Sequence, residues 1–306
     1  TMKNTPVKGT ISILKSGEYL TGSDFRLTKY GKMYSPVYEI GNQPGAVYDI
    51  IAATDIITPD GTIRAKQGEV VDTVTTTNSG ATTKELYLGG YIVKEVQTPI
   101  GMVISTGEHH VTLSYAGQSV PIVVTSASFV NERQKVSASL KKILEQDEMF
   151  CLGMNEEYKH VAFALFVRED IKAIDGSIAL KKDCLLEISG ISEDGSLAFQ
   201  SDLPMGKYYI KELSTDDHYI LNDKEYDFSF EYQGQDIPVV EITVNGKNPI
   251  ENELIRGDIF GRKVDQDGFG LAGATIGLFL EHDLNNPILT TEVNGIGYFE
   301  FLNVPY

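Results

Sequence analysis

Six residues have the types and the order to do covalent chemistry on one another: Lys15, Glu95 and Asn131, then Lys142, Glu212 and Asn252. Each belongs to a stretch that alternates apolar and polar residues, as a half-buried strand does, and each falls on the apolar parity. Ile11, Ile13 and Lys15 share one face, as do Ala138, Leu140 and Lys142. Tyr91, Val93 and Glu95 form a second such face, matched by Tyr208, Ile210 and Glu212. Phe129 leads to Asn131, and Ile250 to Asn252, on the same parity. An amine, a carboxyl and an amide are thus directed into a core, where an unpaired polar group is costly.

Burial suggests what such a trio does. Desolvation disfavours the charged form of an amine, so a lysine among apolar side chains becomes a neutral nucleophile. A carboxyl in the same surroundings is favoured as the neutral acid. Glu95 and Glu212 are the acids in position to hydrogen-bond an Asn carbonyl and shuttle protons. Attack of the amine on the amide carbon would expel ammonia and leave a Lys–Asn isopeptide crosslink, with fixed proximity supplying most of the rate. That is a single turnover of the protein on itself, so the chain is not expected to be an enzyme. Lys141 rivals Lys142, since a β-bulge would reverse the parity. Lys8 is a more distant rival to Lys15, because it precedes the alternation. The ordinary alternatives are a solvated Lys–Glu pair at a strand end or an unreacted Lys–Glu–Asn cluster.

The elements that position these residues recur along the chain. The phrase Gly90-Tyr91-Ile92-Val93-Lys94-Glu95 returns as Gly206-Lys207-Tyr208-Tyr209-Ile210-Lys211-Glu212, each preceded by a glycine-centred turn at Asn78-Ser79-Gly80 or Glu193-Asp194-Gly195. A third copy is partial: Ile259, Gly261 and Lys263 match the opening strand, and Asn294-Gly295-Ile296-Gly297 the turn. Small-and-apolar strands start near Gly45, Val161 and Gly273. Many short strands set off by Gly, Asn-Gly and Asp-Gly turns predict all-β sandwiches. The boundaries fall just after each closing Asn, giving domains 1–135 and 136–256 and a partial domain 257–306. The acidic stretch from Gln146 to Lys159 is expected to be an irregular insertion.

At these residues the chain resembles the Cna B-type, or SpaA-type prealbumin-like, domains of Gram-positive surface adhesins and pilins. The resemblance rests on the opening strands ending in Lys15 or Lys142, the Tyr-x-x-Lys-Glu strands, and the closing Asn131 and Asn252. It implies tandem immunoglobulin-like β-sandwiches, a Lys15–Asn131 bond assisted by Glu95, and a Lys142–Asn252 bond assisted by Glu212. Lys263 has no matching Glu or Asn in this sequence, so no third bond is expected. It further implies a structural or adhesive stalk on the outside of a Gram-positive cell, as a monomeric segment of a longer wall-anchored protein. The alternative function is a module that recognises a host surface or matrix protein, or a glycan, through its loops.

Composition bounds the rest. A formal net charge of -17 argues against nucleic acid, which wants a basic patch, and against anionic membrane surfaces. No apolar run is long enough to span a bilayer. Cys151 and Cys184 are expected to be buried free thiols. His109 and His110 are adjacent on a predicted strand and point to opposite faces, while His160, His218 and His282 are scattered, so no metal site is expected. Asp265-Gln266-Asp267-Gly268 lacks the remainder of a calcium loop and is expected to be a turn, as is Pro59-Asp60-Gly61. Asp216-Asp217 before His218 forms no recognisable acid–base pair by itself. No motif calls for a cofactor.

Overall fold

A computed structural model describes residues 5–306, and they are almost entirely strand and turn. In the first repeat the opening strand (Lys8–Thr28) lies parallel to the closing strand (Ile122–Asn131). Short segments at Ala81–Thr82 and Leu86–Tyr87 pair antiparallel on the opening strand's other edge. A second sheet runs in the order Glu108–Leu113, Gly89–Gln97, Val47–Ala52 and Val70–Thr75. Alternation in the opening strand sends Ile11 and Ile13 inward to meet Tyr48, Ile50, Tyr91 and Val93 of that sheet, all at most 2% exposed. This is the sheet-on-sheet packing that period-two patterning dictates.

The second repeat is built alike. Its opening strand (Lys135–Leu144) pairs antiparallel with Ser196–Ala198 and parallel with Val239–Thr243 and with the closing strand Ile250–Asn252. The facing sheet has the order Leu185–Gly190, Ala162–Val167, Gly206–Ser214, Tyr226–Phe230. Leu140, Phe163, Leu165, Tyr208, Ile210 and Ile250 form its core. Between opening strand and facing sheet, the expected acidic insertion is irregular apart from one short 3-10 turn (Glu157–His160).

Sequence reading did not foresee the length of the first opening strand. It continues past Ser16 and turns back as Gly31–Asn42, making a hairpin paired from Ser16↔Asn42 to Thr28↔Gly31. Its outer half reaches across the 135/136 boundary, where Met33 pairs with Leu185 and buries against Ala164. Leu20 and Tyr34 pack on the second core. The Ser23 hydroxyl donates to the Ala179 carbonyl at 2.6 Å and the Tyr38 hydroxyl to the Asp202 carbonyl at 3.0 Å. At the hairpin's base the buried Arg133 guanidinium lies 3.8 Å from the Tyr38 ring and binds Glu18 and Asp202. Burial pushes the Asp202 carboxyl up, but Lys135 and Arg133 outweigh it and hold the group below its ordinary value. The neighbouring Gln134 side chain donates to the carbonyls of Gly234 and Ile237.

The third copy contributes two two-stranded ladders, Arg256–Arg262 with Tyr298–Pro305 and Thr275–Leu278 with Leu289–Glu292. Its opening strand has the expected parity but not the expected burial: Ile259 is 42% exposed and Lys263 is exposed. Among the described residues, no facing sheet like those of the first two copies covers that strand. Asp265–Gly268 and Pro59–Gly61 are turns. No helix is long and apolar enough to cross a membrane among the described residues.

Candidate functional site

Each sandwich holds a lysine, a glutamate and an asparagine between its sheets, the lysine and asparagine from adjacent parallel strands and the glutamate from the sheet opposite. The registers match: Lys15 pairs with Phe129 and Gly17 with Asn131, while Lys142 pairs with Ile250 and Leu144 with Asn252. Each Asn therefore sits two residues beyond its lysine's partner, on the same face. Glu95 pairs with Tyr48 and Glu212 with Phe163, in both cases next to a bulge in the glutamate's own strand, at Val96 and Leu213. The bulges lie away from Lys142, which stays inward at 2% exposure while Lys141 faces solvent and binds Asp194. Lys8 is a third exposed and 3.8 Å from Glu85, far from a buried role.

In the second sandwich the Lys142 ammonium nitrogen is 3.3 Å from Glu212 Oε1 and donates to Asn252 Oδ1 at 2.5 Å. The Asn252 amide donates to both oxygens of Glu212 at 3.0 Å and to the Thr215 hydroxyl at 2.9 Å. In the first sandwich Lys15 Nζ lies 3.0 Å from Glu95 Oε1, and Asn131 Nδ2 donates to the same oxygen at 3.0 Å. That lysine contact is short but poorly angled, leaving Lys15 Nζ and Asn131 Oδ1 without hydrogen-bond partners. Both lysine and both glutamate side chains are fully shielded from solvent.

Burial dominates the electrostatics. It lowers the pKa of both amines below the ordinary lysine value, against the opposing pull of Glu95 on Lys15 and of Glu212, then Glu251, on Lys142. The other oxygen of each carboxylate is anchored by a backbone N–H ten residues downstream. Ser105 N–H reaches Glu95 Oε2 at 3.1 Å and Asn222 N–H reaches Glu212 Oε2 at 2.8 Å. A deprotonation-prone amine beside a side-chain amide, with a carboxyl bridging both, can carry out intramolecular acyl transfer.

Sequence reasoning did not single out the two anchoring amides or Thr215. The equal spacing to Ser105 and Asn222 was a usable signal, as was a Thr three residues after each Glu. Only Thr215 of that pair touches the amide, because Thr98 turns its hydroxyl to the Met102 carbonyl at 3.1 Å. Tyr48 also differs from its counterpart Phe163, burying a hydroxyl with no hydrogen-bond partner.

Other candidate groups fall away from these clusters. Both cysteines are free, but Cys151 is exposed rather than buried, because it sits in the turn of the acidic insertion with φ +56°. Cys184 is half-buried, and burial pushes its thiol up to about 11. His160 and His218, distant in sequence, converge on the buried Asp216, each ring nitrogen 2.6 Å from one carboxylate oxygen. Among the described residues no group of three metal-ligating side chains is disposed to hold an ion.

Comparison with known proteins identifies the fold. The family model for SpaA, described as a prealbumin-like fold domain, matches residues 9–127 and 177–246, more than half of the chain. No curated protein matches in sequence. Among solved structures, the Bacillus anthracis TIE protein is similar over 98% of this chain, with 18% identity and a TM-score of 0.59. The chain spans 44% of that protein's length. BcpA, the major pilin subunit of Bacillus cereus, aligns with 98% of the chain and 85% of its own, at 15% identity and a TM-score of 0.32. Shaft pilin SpaA from Lactobacillus rhamnosus GG aligns over 81% and 98%, at 12% identity and a TM-score of 0.26.

Proposed function

Because the chain belongs to the SpaA family of prealbumin-like fold domains, we propose that it is a structural stalk segment of a Gram-positive cell surface, stiffened by two internal Lys–Asn isopeptide bonds. The bonds join Lys15 to Asn131 and Lys142 to Asn252, within units spanning residues 1–135 and 136–256, ahead of a partial unit at 257–306. The observation that carries this reading is the duplication: two buried Lys–Glu–Asn clusters share strand register, opposite-sheet glutamate and amide anchor.

The reaction balances within each cluster. The neutral Nζ attacks the Asn Cγ, forming the new C–N bond, while the bond from Cγ to Nδ2 breaks. The glutamate relays a proton from the attacking amine to the departing nitrogen, and ammonia leaves. The poorly paired Lys15 Nζ supports the same reading, since its close contact with Glu95 Oε1 at 3.0 Å is badly angled and the bond removes the free amine altogether.

The crosslink ties together the first and last strands of a sandwich. Tension entering at one strand then leaves by the other without unzipping the sheet, and unlike a disulfide the link survives reduction. The role is mechanical, with no turnover of an external substrate.

The test is the intact mass of the denatured, reduced chain beside Glu95→Ala and Glu212→Ala. The expected result is a deficit of two ammonia molecules, with one restored in each variant. A mass equal to the sum of the sequence would remove the covalent mechanism.

A further inference from the structure

The chain carries 43 acidic against 26 basic residues, yet basic groups gather at one end of the bridging hairpin. Arg26, Lys29 and Lys32 are exposed at its outer end, and Lys181 and Lys182 are exposed in the adjoining turn of the second sandwich. Lys32, Lys181 and Lys182 line a cleft of about 470 Å3 together with Tyr34 and Phe166. None of the five cations forms an ion pair among the described residues, whereas most other basic side chains do. The carboxylate in the cleft, Asp183, is already engaged by the Tyr209 hydroxyl at 3.2 Å.

Aromatic rings are interleaved with these charges. Phe25 is 53% exposed, with the Lys32 ammonium 4.1 Å above its ring and Tyr34 packed beside it at 5.8 Å. Tyr30, 43% exposed, carries Lys29 at 4.9 Å. Exposed rings on a hairpin tip contribute nothing to the core. Arg26, Lys181 and Lys182 have neither a carboxylate nor an aromatic partner among the described residues, so no contact of their own explains them.

We propose that this cleft binds an acidic polysaccharide, a sugar chain bearing carboxylate or sulfate groups at intervals. The cations supply point charges for the anions, and Phe25 and Tyr30 supply flat faces for the C–H surfaces of sugar rings. The charges come from a hairpin tip and a separate turn and stand beside exposed rings, so the ligand that fits offers both anions and flat apolar faces. Nucleic acid is disfavoured, since a duplex presents a charge every ~1.7 Å to a protein of net charge -17. An acidic peptide has the charges but no ring faces for Phe25 and Tyr30 to stack on. This binding is independent of the crosslinks, so a chain with no ammonia deficit binds equally well.

The test is titration calorimetry of the full chain with four probes of matched length: a heparin oligosaccharide, a hyaluronan oligosaccharide, neutral dextran and poly-glutamate. The expected result is binding of at least one acidic saccharide, tighter than poly-glutamate, none of dextran, and weakening with salt. Lys32→Glu combined with Lys182→Glu is expected to reduce affinity about tenfold or more, and Phe25→Ser to reduce it with the salt dependence unchanged. Lys247→Glu, an exposed control on the second unit, leaves it unchanged. Should the double Glu variant melt early, Lys32→Gln with Lys182→Gln gives the same reading without reversing charge. Absence of acidic-saccharide binding, equal affinity for poly-glutamate, or indifference to the cleft substitutions would overturn the proposal.

Discussion

Replacing Asn252 by alanine removes the acyl partner of Lys142 while leaving the Lys142–Glu212 contact at 3.3 Å in place. Lys142 and Asn252 are 110 apart in sequence, so the proposed bond would close most of the second sandwich as one loop. In the chain-entropy treatment used for disulfides, losing such a closure costs about 5 kcal/mol. A unit of this size shifts by roughly 4 °C per kcal/mol, so the second transition should fall by about 20 °C or more. Differential scanning calorimetry alongside intact mass measures both quantities on one sample. Thr215→Val is the control, removing the hydroxyl beside the Asn252 amide while leaving the acyl partner. If Asn252→Ala lowers the transition no further than Thr215→Val, the closure argument is refuted, whatever the mass shows.

Tyr48→Phe recreates in the first sandwich what Phe163 provides in the second; discarding an unpartnered buried hydroxyl should raise stability by about 1 kcal/mol, read as a higher melting temperature. Gly195→Ala should cost about 2 kcal/mol or more by denaturant titration, because a Cβ there meets the Lys142 carbonyl oxygen at 2.1 Å and φ is +81°. Burial pushes the Asp216 carboxyl up, but His218 and His160 outweigh it and hold the group below its ordinary value. A depressed folded-state value adds stability above the ordinary carboxylate range that is lost as pH falls through it. Asp216→Asn should therefore flatten the acid limb of stability below about pH 4. Arg133→Met strands Glu18 and Asp202 with Lys135 alone, which should cost about 3 kcal/mol and lower the melting temperature in calorimetry.

Period-two parity was enough to read the all-β fold, because each strand is half-buried and a one-residue slip would turn every side chain over. The same parity singled out the six site residues, and the structure brings each set of three together. What sequence did not disclose depends on tertiary context. Ser105 and Asn222 act through backbone N–H groups, which carry no side-chain signature. Asp216 joins His160 to His218 only after the strands between them have paired. Cys151 follows Phe150 in a stretch that looked apolar, but a left-handed turn presents it to solvent. The long hairpin escaped notice because its outer half, Phe25 to Tyr34, mixes exposed aromatic and basic residues without a clean alternation.

That hairpin also sets an order of events during synthesis. Leu20, Met33 and Tyr34 leave the ribosome early, but the surfaces that cover them, around Ala164 and Leu185, come more than a hundred residues later. At 5–20 residues per second the wait is roughly seven to thirty seconds. Throughout it, a strand pair with an unpaired edge stands beside a first sandwich that is itself incomplete until Asn131 appears. The outer half of the first unit's hairpin is thus covered only once the second unit has formed.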